Sequence, residues 1–460
     1  MTTAPTSPIQ DPSWRGHIRA TIKLGLPLIG SQLAFIGLGV TDTVMLGWYG
    51  VAPLAASVLG TQLIFLALIT GAGPANAVSA IVSNALGEGN ERAVRRSVRM
   101  SLWAAAIYCV VAMPLLWNAK LLFLALGQEP DLAQMAQDYV RIAMWSVPVA
   151  IAFNAIRSYL TALELAGIVL WANLAGLILN ALVNYAFIFG NWGAPELGIK
   201  GAAIATVLTN ILMMIVATYW AVTRPELKKY ELFVRFFQPD WAALREVFRL
   251  GWPISLTLLA EVSLFSISAV MMGWLGTIPL AAHGIAMQVI SVMFMVPLGL
   301  AFASTVRVGR AVGRKDRQGL ERASVVVTAI AVIIACAFVL MLLFLPVTLI
   351  DLFIEPDNPD RPAIIAVCVP LLAVAALFQV ADTCQVMMAS MLRGLKDTKI
   401  PMVMAVVSYL IVGVGTAYVC GFLLGWEGVG IWFGLAFGLT LAAVLMGARY
   451  LRLIKTAIPD

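Results

Sequence analysis

The sequence predicts an all-α integral membrane protein of about twelve transmembrane helices, arranged as two parallel six-helix bundles. Three observations carry that prediction. Of the 460 residues, 61% are hydrophobic and only 12% are charged, against roughly 25% charged in a soluble domain. The apolar residues fall in helix-length runs such as Ala323 to Thr348. The chain also repeats itself at one fixed offset, the one that carries Gly25 onto Gly251.

A soluble fold of this length has too little polar sequence here to cover its surface, so the apolar excess needs lipid around it. Lipid offers the backbone no hydrogen-bond partners, which leaves only helices or closed barrels as spanning structures. Barrel strands alternate apolar and polar residues, whereas these runs are apolar nearly throughout, so helices are predicted. A span needs about 20 residues. The runs place span cores at 22–46, 53–78, 100–118, 139–161, 168–190, 201–221, 250–272, 279–303, 323–348, 363–390, 401–424 and 429–450. The most polar interruption, 223–249, reads as a cytoplasmic linker between an N-terminal six-helix lobe, 1–222, and a C-terminal one, 250–460.

Orientation follows from charge. With the N-terminus in the cytoplasm, 26 of the 30 Lys and Arg residues fall on the cytoplasmic side, all but Lys120, Arg141, Lys200 and Arg361. The positive-inside rule then places both ends in the cytoplasm. The net charge of +6 is therefore a membrane signature and does not point to nucleic acid. The polar N-terminal stretch lacks basic residues, and no small-residue cleavage site follows it, so no signal peptide is expected. Five cysteines lie inside apolar segments without metal-ligand or redox spacing and read as packing residues.

The repeat needs no gap. Gly25-Leu-Pro27 matches Gly251-Trp-Pro253, and Met45-Leu-Gly47-Trp48-Tyr-Gly50 matches Met271-Met-Gly273-Trp274-Leu-Gly276. Pro53, Gln62, Gly73 and Gly87 match Pro279, Gln288, Gly299 and Gly313. Six spans per half make the two halves enter the membrane in the same sense. Parallel repeats of this kind are a transporter architecture.

Three of the 24 acidic residues sit well inside spans: Asp42, Glu261 and Asp382. A mid-membrane carboxylate costs roughly 2.5–3.5 kcal/mol, so each wants a reason. At 1.5 Å per residue, Glu261 and Asp382 lie roughly 17–18 Å from their nearest cytoplasmic basic residues, Arg249 and Arg393, and share one depth. No basic residue is expected at matching depth. Asp42 lies roughly 28 Å deep, toward the outer face. Asn180 and Asn184 share a helix face at i, i+4 spacing, Asn184 at a depth close to that of Asp42. Oxygen ligands suit a hard cation such as Na⁺, and a desolvated carboxylate suits a proton. The alternative for the two amides is an interhelical hydrogen bond without a transport role. His283, a lone histidine near a span end, reads as a packing or interfacial residue. With only His17 besides, and no phosphate-binding Gly-x-x-x-x-Gly-Lys loop, neither an enzyme nor an ATP-driven pump is supported.

With these residues in view, the chain resembles the multidrug and toxic compound extrusion family, in its NorM branch, over essentially its whole length. The most specific stretches are Gly193-Ala-Pro-Glu-Leu-Gly198, Glu261-Val-Ser-Leu-Phe265, Ala281-Ala-His283, Arg307-Val-Gly309 and Leu392-Arg-Gly-Leu-Lys-Asp397. The resemblance implies a V-shaped pair of bundles in a bacterial inner membrane. It also implies antiport of lipophilic, often cationic, drugs against Na⁺ or H⁺ by a monomer that needs no cofactor. Asp42, Asn180, Asn184, Glu261 and Asp382 would bind the coupling cation. Two departures stand out. Gly284 replaces the glutamine usual after Ala-Ala-His, and Phe378 replaces a cation-contacting tyrosine of some relatives, which favours H⁺ over Na⁺ in the second lobe. A major-facilitator transporter or a lipid-precursor flippase is the alternative.

Overall fold

The computed structural model describes residues 13–355 and 358–457; the N-terminal stretch read as lacking a signal peptide lies outside them, Ser13 apart. The described chain is all-helical. In order, α1 is Trp14–Tyr49, α2 Val51–Gly87, α3 Glu91–Trp117, α4 Ala119–Ala125, α5 Pro130–Ala143, α6 Ser146–Ala162, α7 Ala166–Phe189 and α8 Ile199–Thr223. The second half has α9 Trp241–Leu275, α10 Thr277–Gly313, α11 Arg317–Phe344, α12 Pro346–Ile350 and α13 Arg361–Gly394. It ends with α14 Lys399–Val406, a π-helical segment Val407–Gly413, α15 Val414–Tyr418, a second π-helical segment Val419–Leu423, and α16 Glu427–Ala457.

Eleven of these stretches are long and apolar enough to cross a membrane, and α5 with α6 makes a twelfth bent by 45°. The predicted cores fall on them to within a few residues. Two local differences have physical causes. The fourth span bends because Pro148 has no N–H to give, so the ladder tightens to Trp145 N–Ile142 O and Val147 N–Met144 O bonds. Trp241 to Arg249, read as linker, already form the polar start of α9, because Asp240 caps it by accepting from the Ala243 amide at 3.1 Å. Large apolar side chains such as Val111 and Ile333, about three-quarters and two-thirds exposed, face outward where lipid covers them.

The duplication reaches into local geometry. Asn90 and Asp316, which the repeat equates, both cap helices, accepting from Ala93 N at 3.1 Å and Gly319 N at 2.8 Å. The residues before them, Gly89 and Lys315, both take left-handed backbone at φ 73° and 57°. Glycine accepts that conformation freely and lysine at a cost.

Two compact units emerge, one of Gly30–Ser255 and one of Leu256 onward together with the residues up to Ile29. The chain thus changes unit inside α1 and again inside α9, just after Ile29 and Ser255, two positions that the repeat superimposes. Small residues make this exchange possible. In the first unit the start of α9 lies against α2, where a Cβ on Gly73 would run into Gly251 O and one on Gly251 would meet Pro74 Cα at 2.5 Å. Ser255 Oγ secures the contact by donating to Thr70 O (2.7 Å) and accepting from Gly73 N (3.1 Å). In the second unit the start of α1 lies against α10, where a Cβ on Gly299 would meet Ile29 Cα at 2.7 Å. There Arg307 donates to His17 O at 2.6 Å and to Thr21 Oγ1.

The segment between α8 and α9 is bound to α3 of the same unit. Arg95–Glu231 and Lys229–Glu91 pair at 2.8 Å, Arg96 pairs with Asp240, and Arg99 and Trp103 donate to the Arg235 and Phe236 carbonyls. The Arg96 hydrogen bond holds the Asp240 carboxyl below its usual range, and Glu91 raises Lys229.

Candidate functional site

In the first unit, the buried face of α7 runs Val169, Ala172, Asn173, Gly176, Asn180, Asn184 and Ile188, a 3.6-residue periodicity that places all three amides inward. α1 runs beside α7 at close range, since Cβ atoms on Gly30 and Gly37 would meet Leu170 and Leu177 side chains at 3.0 and 3.3 Å. Asn173 sets the register by donating to Ser31 O at 3.0 Å and Ser31 Oγ at 2.6 Å. Three turns further out, Asp42 Oδ1 accepts from Asn184 Nδ2 at 2.6 Å and Asn180 Nδ2 at 3.0 Å. Thr206 of α8 donates to Asp42 Oδ2 at 3.4 Å. Asn184 Oδ1 is buried without a partner among the described residues. Tyr139, which accepts from Thr61 at 3.1 Å, is an electrostatic neighbour of Asp42. Two amide N–H groups and a hydroxyl thus gather on one carboxylate, and a carboxylate oxygen is a ligand that hard cations prefer. Depth along the helices already brings Asp42, Asn180 and Asn184 together in the sequence. Thr206 and Tyr139 carry no such signal, because they belong to helices whose facing only tertiary packing fixes.

In the second unit, Glu261 of α9 and Asp382 of α13 are electrostatic neighbours, and Asp382 is only 2% exposed. The basic residue that bears on them electrostatically is Arg393, which acts on Glu261 from the end of α13. Its place at the end of α13 makes it look like a surface charge, but its stem is half-buried and long enough to reach inward. Phe378, one turn before Asp382, is fully buried between Phe265 (centroids 6.0 Å) and Trp432 (5.6 Å). Trp432 Nε1 donates to His283 Nδ1 at 3.1 Å, which leaves the imidazole proton on Nε2. His283 is therefore a packing partner of this aromatic column. The Asp42 group belongs to the first unit and the Glu261–Asp382 pair to the second.

A duplicated chain, all-helical among the described residues, with lipid-crossing spans and carboxylates held inside them has the organisation of a multi-span membrane transporter. Comparison with known proteins gives its family. The chain belongs to the MatE family, whose model matches residues 27–186 and 253–419, two stretches that start on the repeat-related prolines Pro27 and Pro253. It is 44% identical to a probable multidrug resistance protein NorM of Rhizobium meliloti (strain 1021), over 97% of this chain and 95% of that one. It is 43% identical to a probable NorM of Agrobacterium fabrum (strain C58 / ATCC 33970), over 98% and 97%. Among solved structures, its fold resembles a MATE protein in the bent conformation, with TM-score 0.87, 22% identity and coverage of 99% of this chain and 100% of that one. It also resembles an outward-facing multidrug resistance MATE family transporter, with TM-score 0.86, 22% identity and full coverage of both chains.

Proposed function

We propose that the protein is a secondary active multidrug exporter, exchanging lipophilic and cationic drugs for Na⁺ or H⁺ by alternating access. The observation that carries this reading is the Asp42 cluster, a carboxylate held by two amides and a hydroxyl within the spans. Such a group is costly in lipid unless a cation visits it. The multidrug relatives at 44% and 43% identity support the drug side of the exchange. Asp42, Asn180 and Asn184 bind the cation in one unit, and Glu261 with Asp382 in the other. The duplicated halves are 1–222 and 250–460, joined by 223–249, and the protein works as a monomer in a bacterial inner membrane. Both ends are cytoplasmic, as the Lys and Arg asymmetry supports.

The membrane potential supplies about 2.3 kcal/mol per charge at 100 mV, roughly a fifty-fold concentration ratio for a neutral drug. Coupling requires that drug and cation oppose each other through the two access states. Inverted vesicles given a fluorescent drug and imposed Na⁺ or H⁺ gradients test the reading. Wild type should accumulate drug against at least one gradient, and Asp42→Asn and Asp382→Asn should lose that dependence. Wild-type transport by both variants would overturn the site assignment.

A further inference from the structure

The start of α1 carries two ladders side by side. Arg15, Arg19 and Lys23 recur every four residues, and Ile18, Ile22 and Leu26 do the same about 60° around the helix. All six are exposed, the three apolar ones at 42%, 50% and 65%. The opposite face, with His17, Thr21, Leu24 and Leu28, is buried and is tied to α10 through Arg307. The helix therefore cannot roll to hide its ladders without giving up those bonds.

Arg15, Ile18, Arg19, Ile22 and Lys23 line one open groove of about 550 Å³, within the roughly 300–1,000 Å³ of small-molecule sites. None of the three cationic side chains has an ion pair or hydrogen bond among the described residues. No Asp or Glu occurs between Trp14 and Thr41. Glu321 of α11 pairs with Arg317 at 3.3 Å, and the neighbouring Arg322 lies over the Trp14 ring, 5.6 Å from its centroid. Like charges one helical turn apart repel, and an anion between them relieves that repulsion.

The duplication supplies an internal comparison. On α9 it sets Trp241, Arg245 and Arg249 at the three basic positions. There Leu244, the counterpart of Ile18, is only 6% exposed and Phe248 is half-buried. Asp240 and Glu246 also bring carboxylates that α1 lacks. The same face is closed on α9 and open on α1.

Independently of the transport reading, we infer that this face of α1 is a docking site for an anionic phospholipid. Its headgroup phosphate lies among Arg15, Arg19 and Lys23, and an acyl chain runs along Ile18, Ile22 and Leu26. The ladders match the two parts of that molecule in chemistry and in order. The cations occupy about 12 Å of helix at the end of a span, and the long stem of Lys23 lets its charge reach the headgroup layer. Trp14 stands where tryptophan gathers, at the membrane–water boundary. A soluble anion has no use for the apolar ladder, and a zwitterionic lipid brings a cation of its own against three others.

Native mass spectrometry of the full chain in detergent, titrated with dioleoylphosphatidylglycerol or dioleoylphosphatidylcholine, reads the binding of the first lipid. Wild type should bind phosphatidylglycerol at least about tenfold more tightly. Arg15→Gln, Arg19→Gln and Lys23→Gln should each weaken it about fivefold, and the triple variant about a hundredfold, with phosphatidylcholine moving less than about twofold. The three side chains are exposed, so thermal midpoints without lipid should stay at wild type. If the triple variant folds poorly, the single ones carry the test. Arg245→Gln/Arg249→Gln, on the closed face of α9, should weaken phosphatidylglycerol less than about twofold. Equal weakening by this pair and by Arg19→Gln/Lys23→Gln would mean general surface charge and overturn the inference. A wild type without preference, or full competition by inorganic phosphate, would do the same. So would a lipid-independent dimer abolished in the triple variant, which would mark a second copy of the chain as the occupant.

Discussion

Replacing Gly251 with alanine puts a methyl group where the backbone of α2 already is. The added Cβ would lie 2.5 Å from Pro74 Cα and N and 2.9 Å from Gly73 C, all main-chain atoms held in a helix. The repeat-related change, Gly25→Ala, meets only Leu300 Cδ2 at 2.8 Å, the far end of a side chain that can rotate away. Overpacking costs about 1–3 kcal/mol. The rigid backbone puts Gly251→Ala at about 2–3 kcal/mol, and the yielding leucine leaves Gly25→Ala below about 1 kcal/mol. For a unit of this size 1 kcal/mol corresponds to about 2–4 °C. Gly251→Ala should therefore lower the midpoint by about 4–12 °C and Gly25→Ala by less than about 4 °C. Thermal unfolding in detergent, read as the surviving monodisperse fraction on size exclusion, measures both. Equal shifts for the two variants would refute the reasoning, because sequence treats the two glycines as equivalent and only the backbone contact separates them.

Three further outcomes follow from contacts described above. Asn184→Ala should weaken cation dependence more than Asn180→Ala, because Asn184 holds Asp42 Oδ1 at 2.6 Å against 3.0 Å; the loss is about 10- to 150-fold in half-saturating ion, read from flux titrations. Arg307→Lys keeps the charge but loses the fork that reaches His17 O and Thr21, which should cost about 1.5–3 kcal/mol in the same thermal assay. The 224–240 segment should resist proteinase K across neutral pH. Asp240 is depressed, so its contribution is present above the ordinary carboxylate range and is lost as pH falls through its folded value. Lys229 is raised, so its contribution is present below the ordinary lysine range and is lost as pH rises through its folded value. Cleavage should be flat between about pH 5 and 10 and faster outside that window, with Arg96→Gln moving the acid edge upward.

Much of the architecture is legible in the residues because lipid imposes a simple rule on span length, and because a gapless duplication leaves its glycines in place. Asp42, Asn180 and Asn184 come together on sequence grounds because helical rise converts sequence distance into depth. The same conversion fails for Arg393, since a long side chain can carry its charge away from the level of its Cα. The π-helical segment Val407–Gly413 is invisible for another reason, since a π turn leaves no composition signal in an apolar run. Phe378, read as a lost oxygen, is in the structure part of a stack with Phe265 and Trp432. Gly25, Gly73, Gly251 and Gly299 announce close approaches, but the sequence does not say that each pair joins segments from opposite halves.

The exchange of half-helices bears on how the chain is made. The face of α2 at Gly73 is inserted early, and its partner around Gly251 to Ser255 is among the first residues of the second half. At 5–20 residues per second, the roughly 180 residues between them take about 9–36 s to synthesise. During this interval the first six spans sit in the bilayer with an unfilled groove lined by glycine and proline. An N-terminal half expressed alone would keep that groove open, while the two halves cut within 224–240 and produced together could close it in trans.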